Sequence, residues 1–108
     1  MRELIWRARA VTDMGSIAEW TTAQHGAEKA AEYLHALYSD AKALREFPHR
    51  HPVHTSRKTE FRKARSGEHF LFYLVKDEAI NVVRVLHKSM DFEPTWMSRV
   101  RRRIPALL

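Results

Sequence analysis

The chain has 108 residues, 44% of them apolar and 30% charged, and a net charge of +6, which allows one compact domain with a modest core. It has no cysteine, which excludes a disulfide framework, a thiolate nucleophile and a cysteine-ligated zinc site. Its longest strongly apolar run, residues 70–75, is far below the roughly 20 residues that span a bilayer and no secretory signal is recognisable, so we expect a cytoplasmic protein without membrane contact.

The first predicted elements are a short strand and a helix. Residues 3–7 predict the strand, since an apolar centre is flanked by charges. Gly26 is well placed to end the helix that follows, because the residue just past a helix often has positive φ. The apolar face of this helix has spacings of 4, 3 and 4 and comprises Ala10, Met14, Ile17 and Thr21, widened by Ala18 and Trp20.

The second predicted helix has the most regular pattern in the chain. Its apolar stripe has spacings of 4, 3, 4 and 3 and comprises Ala30, Leu34, Leu37, Ala41 and Leu44, extended by Ala27 and Phe47. The opposite face is charged, and Pro48 stops the helix. Two consecutive amphipathic helices form an antiparallel pair that needs a second apolar layer.

The C-terminal half predicts three strands that supply this layer. Residues 58–64 are the weakest of them, and a Ser66–Gly67 turn follows. Residues 69–75 and 79–87 are rich in Phe, Tyr, Val and Ile, and the short segment 76–78 joins them as a hairpin. The expected fold class is therefore α+β: an N-terminal strand, two antiparallel helices and a three-stranded antiparallel segment that completes one small sheet. Residues 91–103 predict a short C-terminal helix or a loose tail.

The length of the hairpin turn decides which side chains share a face of the sheet. A two-residue turn at Asp77–Glu78 places His69, Tyr73 and Arg84 on one face. The opposite face then carries Phe70, Phe72, Leu74, Val83, Val85 and His87. A three-residue turn shifts the register by one and places His87 with His69 and Tyr73 instead. The sequence leaves both registers open.

The positive charge is concentrated in two short segments. Residues 57–65 carry +4 and residues 99–103 carry +4, whereas the other 94 residues sum to −2. Such blocks are solvated faces or tails, or else they mark an electrostatic contact surface for phosphate or for an acidic protein. Only Phe61 is interleaved with the first block, which is little support for a base-stacking platform.

Three histidines in a segment interrupted by prolines, His49, His51 and His54, have the composition of a metal site. No neighbouring carboxylate completes such a site, Glu46 being the nearest. We therefore expect a solvated loop here, with no metal and no cofactor.

A metal-free ribonuclease site is the second chemical candidate. It needs a base, an acid and cations that stabilise the phosphorane. His69, Tyr73, Arg84 and His87, together with the basic strand, supply these residue types. However, tyrosine and histidine in apolar strands are more often structural.

Two consecutive strand motifs resemble the RelE/ParE superfamily, the toxins of bacterial type II toxin–antitoxin pairs, and specifically its ParE branch. They are Arg65-x-Gly67-x-His69-Phe70-Leu71-Phe72-Tyr73 and Ile80-x-Val82-Val83-Arg84-Val85-Leu86-His87-x-x-Met90-Asp91. Supporting stretches are Asp13-x-x-x-Ile17, Gly26-x-x-x-Ala30-x-x-Tyr33 and Leu44-x-x-Phe47-Pro48. The resemblance covers about residues 4–91 and implies two helices packed on a mainly antiparallel sheet, as a single domain of residues 1–108.

The ParE resemblance implies a toxin that poisons DNA gyrase by protein binding, has no catalytic residues of its own, and is neutralised by a cognate antitoxin. RelE-like relatives instead cleave mRNA on the ribosome with Lys and Arg side chains. The RelE-type arginine positions fall at Phe70 and Met90 here, and this departure favours the ParE reading. The alternative, a RelE-like endoribonuclease acting on the ribosome and mRNA, would use Lys63, Arg65, His69 and His87.

The candidate target-binding residues are basic and lie in the two charged segments. By charge and position they are Arg99, Arg101, Arg102 and Arg103 in the tail of about residues 95–108, with Arg62, Lys63 and Arg65 in the basic strand. We expect protein partners for them: the antitoxin and gyrase.

Overall fold

The structure is a computed structural model, and it describes residues 1–56 and 59–90. Its elements follow the order β1 (Glu3–Trp6), α1 (Ala8–His25), α2 (Ala27–Ala43), β2 (Val53–Ser56), β3 (Thr59–Ser66), β4 (His69–Val75) and β5 (Ala79–His87). The expected final helix or tail lies outside the described residues. In the described part, no helix has the length and hydropathy needed to cross a membrane.

The strands form one mixed five-stranded sheet in the order β1-β5-β4-β3-β2. β1 pairs with β5 in parallel, and the other three pairs are antiparallel. The α+β fold class and the order of elements are confirmed. The C-terminal half contains four strands, whereas the sequence predicts three, and the strand that it misses is β2. This short edge strand has a single strongly apolar residue, Val53, which is 41% exposed. Such a strand has no buried face to produce an alternating pattern.

Gly26 separates the two helices with a φ of +90°, as its position predicts. α2 ends at Ala43, before Pro48, so Phe47 does not extend its stripe and is 66% exposed. Trp20 is also exposed, contrary to expectation, since it lies at the margin of the buried stripe of α1. That stripe comprises Ala10, Asp13, Ile17 and Thr21.

The sheet separates two apolar clusters. The helix-facing cluster comprises Ala10, Ile17, Leu37, Ala41, Leu44, Ala64, Leu71, Tyr73, Ile80, Val82 and Val85. The outer cluster lies on the opposite face and comprises the buried Phe61, Phe72 and Leu86 with the partly buried Phe70, Leu74, Val83 and Met90. Alternation along β4 sends successive side chains to the two clusters.

The β4–β5 hairpin contains both of the registers that the sequence leaves open. Its turn has two residues, because the Lys76 N–H donates to the Ala79 carbonyl at 2.8 Å, and Tyr73 lies opposite Val82. A bulge between Phe72 and Tyr73 then shifts the pairing by one, so that His69 lies opposite His87.

The bulge changes which residues share a face of the hairpin. A two-residue turn predicts Val85 and His87 on the same face as Phe70 and Phe72, but both lie on the opposite face. Val85 belongs to the helix-facing cluster, and His87 lies beside His69.

Candidate functional site

The most connected polar group in the described chain surrounds the β3–β4 turn. Tyr33 of α2 lies over this turn, and its hydroxyl accepts the Glu68 backbone N–H at 2.9 Å. The same hydroxyl is 2.6 Å from His69 Nδ1. A hydroxyl that accepts from Glu68 is free to donate its own proton to Nδ1, which assigns His69 as the neutral tautomer protonated at Nε2.

Gly67 allows this close packing. Its φ is +59°, and a Cβ built on it would lie 2.9 Å from Cε1 and from the hydroxyl of Tyr33. Any other residue therefore meets both backbone strain and a steric clash. The turn, the tyrosine and the histidine form one packed unit.

His69 is held neutral by its surroundings. It is 8% exposed, and its ring lies 5.3 Å from the ring of His87. Burial, and after it the nearby His87, lower the pKa of His69 to about 4. The charges of Glu68 and Asp13 oppose this shift only in part.

His87 and Glu68 have local partners of their own. The Ser89 N–H donates to His87 Nδ1 at 3.1 Å. Lys88 Nζ lies 2.7 Å from a Glu68 carboxylate oxygen, and this hydrogen-bonded ammonium lowers the pKa of Glu68. The histidine pair therefore lies beside an exposed ion pair, at the end of the sheet that includes the β3–β4 turn.

Arg84 is not part of the histidine group. Its guanidinium is 1% exposed and binds Asp13 of α1, with Nε donating to Oδ2 at 2.8 Å and Nη2 to Oδ1 at 3.0 Å. The Val85 N–H also donates to Asp13 Oδ2, at 2.9 Å. Asp13 was missed as a partner, although its place between Ala10 and Ile17 on the apolar stripe was a usable signal.

Tyr73 connects the sheet to the segment that contains the three histidines. Its buried hydroxyl donates to the Pro48 carbonyl at 2.9 Å and lies 3.2 Å from His51 Nδ1. Burial raises the pKa of Tyr73 and lowers the pKa of His51, where the charges of Arg50 and Arg62 act in the same direction.

Arg62 fixes the same segment by donating from Nη1 to the carbonyls of His49, at 3.2 Å, and His51, at 2.5 Å. The histidines do not converge: His51 faces Tyr73, and His54 stacks on Phe61 from β2. Within residues 1–56 and 59–90, no three His, Asp or Glu side chains are grouped as metal ligands.

The remaining basic residues of β3 lie on the outer face. Lys63 Nζ is 4.5 Å, and the Arg65 guanidinium carbon 5.7 Å, from the centre of the Phe70 ring. The histidine pair instead lies on the helix-facing side, where His69 contacts Tyr33. The structure thus places Lys63 and Arg65 near the Phe70 ring and His69 beside His87, but it does not bring the four together. Arg99, Arg101, Arg102 and Arg103 lie outside the described residues.

Comparison with known proteins gives one consistent result. The family model of the ParE toxin of type II toxin–antitoxin system, parDE, matches residues 4–92. Toxin ParE1 of Caulobacter vibrioides is 30% identical over 83 residues, which are 77% of this chain and 85% of that protein. The solved structure titled chromosomal ParDE TA system from P. aeruginosa has a TM-score of 0.70 at 20% identity, covering 81% of this chain and 96% of that one. This structural likeness concerns the fold, and the family match runs from β1 to just past β5.

Proposed function

Because the chain belongs to the ParE family of toxins of type II toxin–antitoxin systems, we propose that it inhibits DNA gyrase by protein binding and that a cognate antitoxin neutralises it. Growth inhibition follows from blocked supercoiling, and an unstable antitoxin would make such a pair stabilise the plasmid that carries it. The proposed site of action is the cytoplasm, where gyrase and DNA meet.

One observation carries the preference for binding over catalysis: the side chains best suited to chemistry are used in structural contacts. His69 is 8% exposed and accepts a hydrogen bond from Tyr33. Arg84 is 1% exposed and paired with Asp13. A general base has to reach the proton that it removes, and a phosphate-stabilising cation has to reach the phosphate.

The outer sheet face and the basic tail are the proposed contact surfaces for the target. Lys63 and Arg65 stand beside Phe70, and the Arg65 side chain is 53% exposed. The tail adds Arg99, Arg101, Arg102 and Arg103. Cationic groups beside an aromatic ring favour an acidic protein surface as a partner.

A supercoiling assay with purified DNA gyrase and relaxed plasmid tests the proposal. We expect micromolar toxin to block supercoiling, and equimolar antitoxin added first to restore it. Full supercoiling at micromolar toxin would contradict gyrase as the target. Cleavage of mRNA in a translation reaction with the same preparation would favour the ribosome-directed alternative.

A further inference from the structure

His69 and His87 lie directly opposite each other across the β4–β5 hairpin. The Lys88 N–H donates to the Glu68 carbonyl at 2.8 Å, one residue beyond this pair. In an antiparallel ladder hydrogen-bonded and non-hydrogen-bonded pairs alternate, so the two histidines form a non-hydrogen-bonded pair. The Cα atoms of such a pair are about 4.5 Å apart, and its side chains are at their closest approach. The backbone therefore holds two imidazole rings side by side.

The spacing of the two rings suits two ligands of one metal ion. Their centres are 5.3 Å apart, and their planes are almost perpendicular, at 86°. Two imidazoles on a tetrahedral zinc ion, at Zn–N distances of about 2.0–2.1 Å, have ring centres about 5 Å apart. The rings are therefore already separated as a shared zinc ion requires.

Both rings are held at Nδ1 by a hydroxyl group. The Tyr33 hydroxyl lies 2.6 Å from Nδ1 of His69, and the Ser89 hydroxyl lies 2.8 Å from Nδ1 of His87. Histidines that bind metal ions use their second ring nitrogen in this way, and the hydrogen bond fixes the orientation of the ring. When an ion takes the lone pair of Nε2, the ring carries its proton on Nδ1 and donates it to the hydroxyl oxygen.

The other ring nitrogen, Nε2, is open on both histidines. Within residues 1–56 and 59–90, neither Nε2 atom has a hydrogen-bond partner. In the same part of the chain, Nε2 of His69 is not one of the buried nitrogen atoms that lack a partner, so it contacts solvent although the residue is 8% exposed. A single ion needs contact with this one atom only, whereas a nucleic acid substrate needs much more room.

Protonation and the neighbouring charges leave the pair available to a cation. The pKa of His69, lowered to about 4, keeps its ring neutral at neutral pH, so a metal ion does not compete with a proton there. The carboxylates of Glu68 and Asp13 favour a positive charge at His69. Each carboxylate is itself paired with a cation, Lys88 at 2.7 Å and Arg84 at 2.8 Å, so the surroundings are close to neutral.

We propose that His69 and His87 bind one zinc ion through their Nε2 atoms, while Tyr33 and Ser89 hold the rings from the opposite side. In the described chain no third His, Asp or Glu joins the pair, so water completes the tetrahedral site. Zinc suits imidazole ligands and this geometry. The ion connects β4 to β5 beyond the bulge and stabilises the folded chain. The proposal does not depend on the proposed inhibition of gyrase.

Isothermal titration calorimetry of the untagged full-length protein with zinc chloride tests the site. His87→Gln removes one ligand at a partly exposed position, and Ser89→Ala removes the hydroxyl behind it. The matched control is His35→Gln, at an exposed position of α2. A second control, His49→Gln with His54→Gln, removes two histidines near β2. Circular dichroism of the zinc-free variants establishes that they are folded.

We expect one zinc ion per chain and a Kd in the micromolar range. His87→Gln should weaken binding at least tenfold, because it leaves a single imidazole ligand. Ser89→Ala should weaken it by about tenfold, since the loss of the partner behind a ligand costs about 10–100-fold in affinity. Both controls should bind zinc as the wild type does. Saturating zinc should raise the Tm of the wild type and of both controls, but not the Tm of His87→Gln.

NMR of the histidine ring nitrogens in the wild type gives a readout that needs no variant. Zinc should shift the Nε2 resonances of His69 and His87, and shifts confined to other histidines would overturn the proposal. No binding up to about 1 mM zinc would do the same. So would a loss of affinity in the controls as large as that in His87→Gln, or an unchanged affinity in both His87→Gln and Ser89→Ala.

Discussion

Asp13 and Arg84 lie 71 residues apart in the chain and form a buried two-pronged ion pair, with Arg84 Nε 2.8 Å from Asp13 Oδ2. The same carboxylate accepts the N–H of Val85, so α1 is joined to both the side chain and the backbone of β5. Because Arg84 follows directly on the β4–β5 bulge, this contact connects the helical layer to the point where the register of the sheet changes.

Removing one partner of this pair should destabilise the fold strongly. We expect Asp13→Ala to lower the free energy of unfolding by about 3–5 kcal/mol, since it leaves a buried guanidinium without its counter-charge. Urea denaturation measures the change, with exposed Glu19→Ala as the control. The double variant Asp13→Leu with Arg84→Met should recover much of the loss, and a single-variant loss below about 1 kcal/mol would contradict the role assigned to the pair.

Replacing Gly67 or Gly15 with alanine should change the free energy of unfolding in opposite directions. Gly67→Ala should cost about 1–3 kcal/mol, because φ is +59° and the new Cβ meets the Tyr33 ring. Gly15→Ala should stabilise by about 0.4–1 kcal/mol, because it lies inside α1 with no atom within 4 Å of the added Cβ. Thermal unfolding of both variants measures the difference, and a shift of the same sign would refute the assignment.

The free energy of unfolding should fall as the pH drops from 6.5 to about 4. The first value is the ordinary pKa of histidine, and the second is the pKa of His69 in the folded chain. The unfolded chain binds a proton on this histidine throughout that range, whereas the folded chain excludes it until about pH 4. The stabilising contribution is therefore complete above pH 6.5 and lost towards pH 4, by about 3 kcal/mol at most.

Urea unfolding of the wild type and of His69→Gln at several pH values isolates this term. The variant should show a flatter pH dependence, because the carboxylates that titrate in the same range are common to both proteins. Parallel pH profiles of the wild type and the variant would show that His69 is not the source of the loss of stability.

The basic tail should matter for gyrase inhibition and not for folding. Replacing all four arginines, Arg99, Arg101, Arg102 and Arg103, with alanine should weaken inhibition of supercoiling at least tenfold. The matched control replaces four exposed basic residues elsewhere, Arg9, Lys29, Lys42 and Lys76. Equal inhibition by the two variants would assign the target contact to another surface, and circular dichroism confirms that both are folded.

The sequence by itself determined the elements whose patterns are local. Gly26 ends α1, the high content of Phe, Tyr, Val and Ile in β4 and β5 gives those strands with their observed bounds, and the spacing of Ala30, Leu37 and Ala41 gives the buried stripe of α2. Each depends on a periodicity or on a backbone preference that a few neighbouring residues carry. The motifs of β3 to β5 were also sufficient to predict the family.

Tertiary structure alone decided which side chains meet. The Asp13–Arg84 pair spans 71 residues and the Tyr33–His69 hydrogen bond 36, so neither leaves a periodic signal in the sequence. The bulge between Phe72 and Tyr73 moves His69 opposite His87 although the turn has two residues, because a shift of one residue within a strand reverses every side chain beyond it. Local patterns set the elements of this protein, and the contacts between distant residues set the positions of its polar groups.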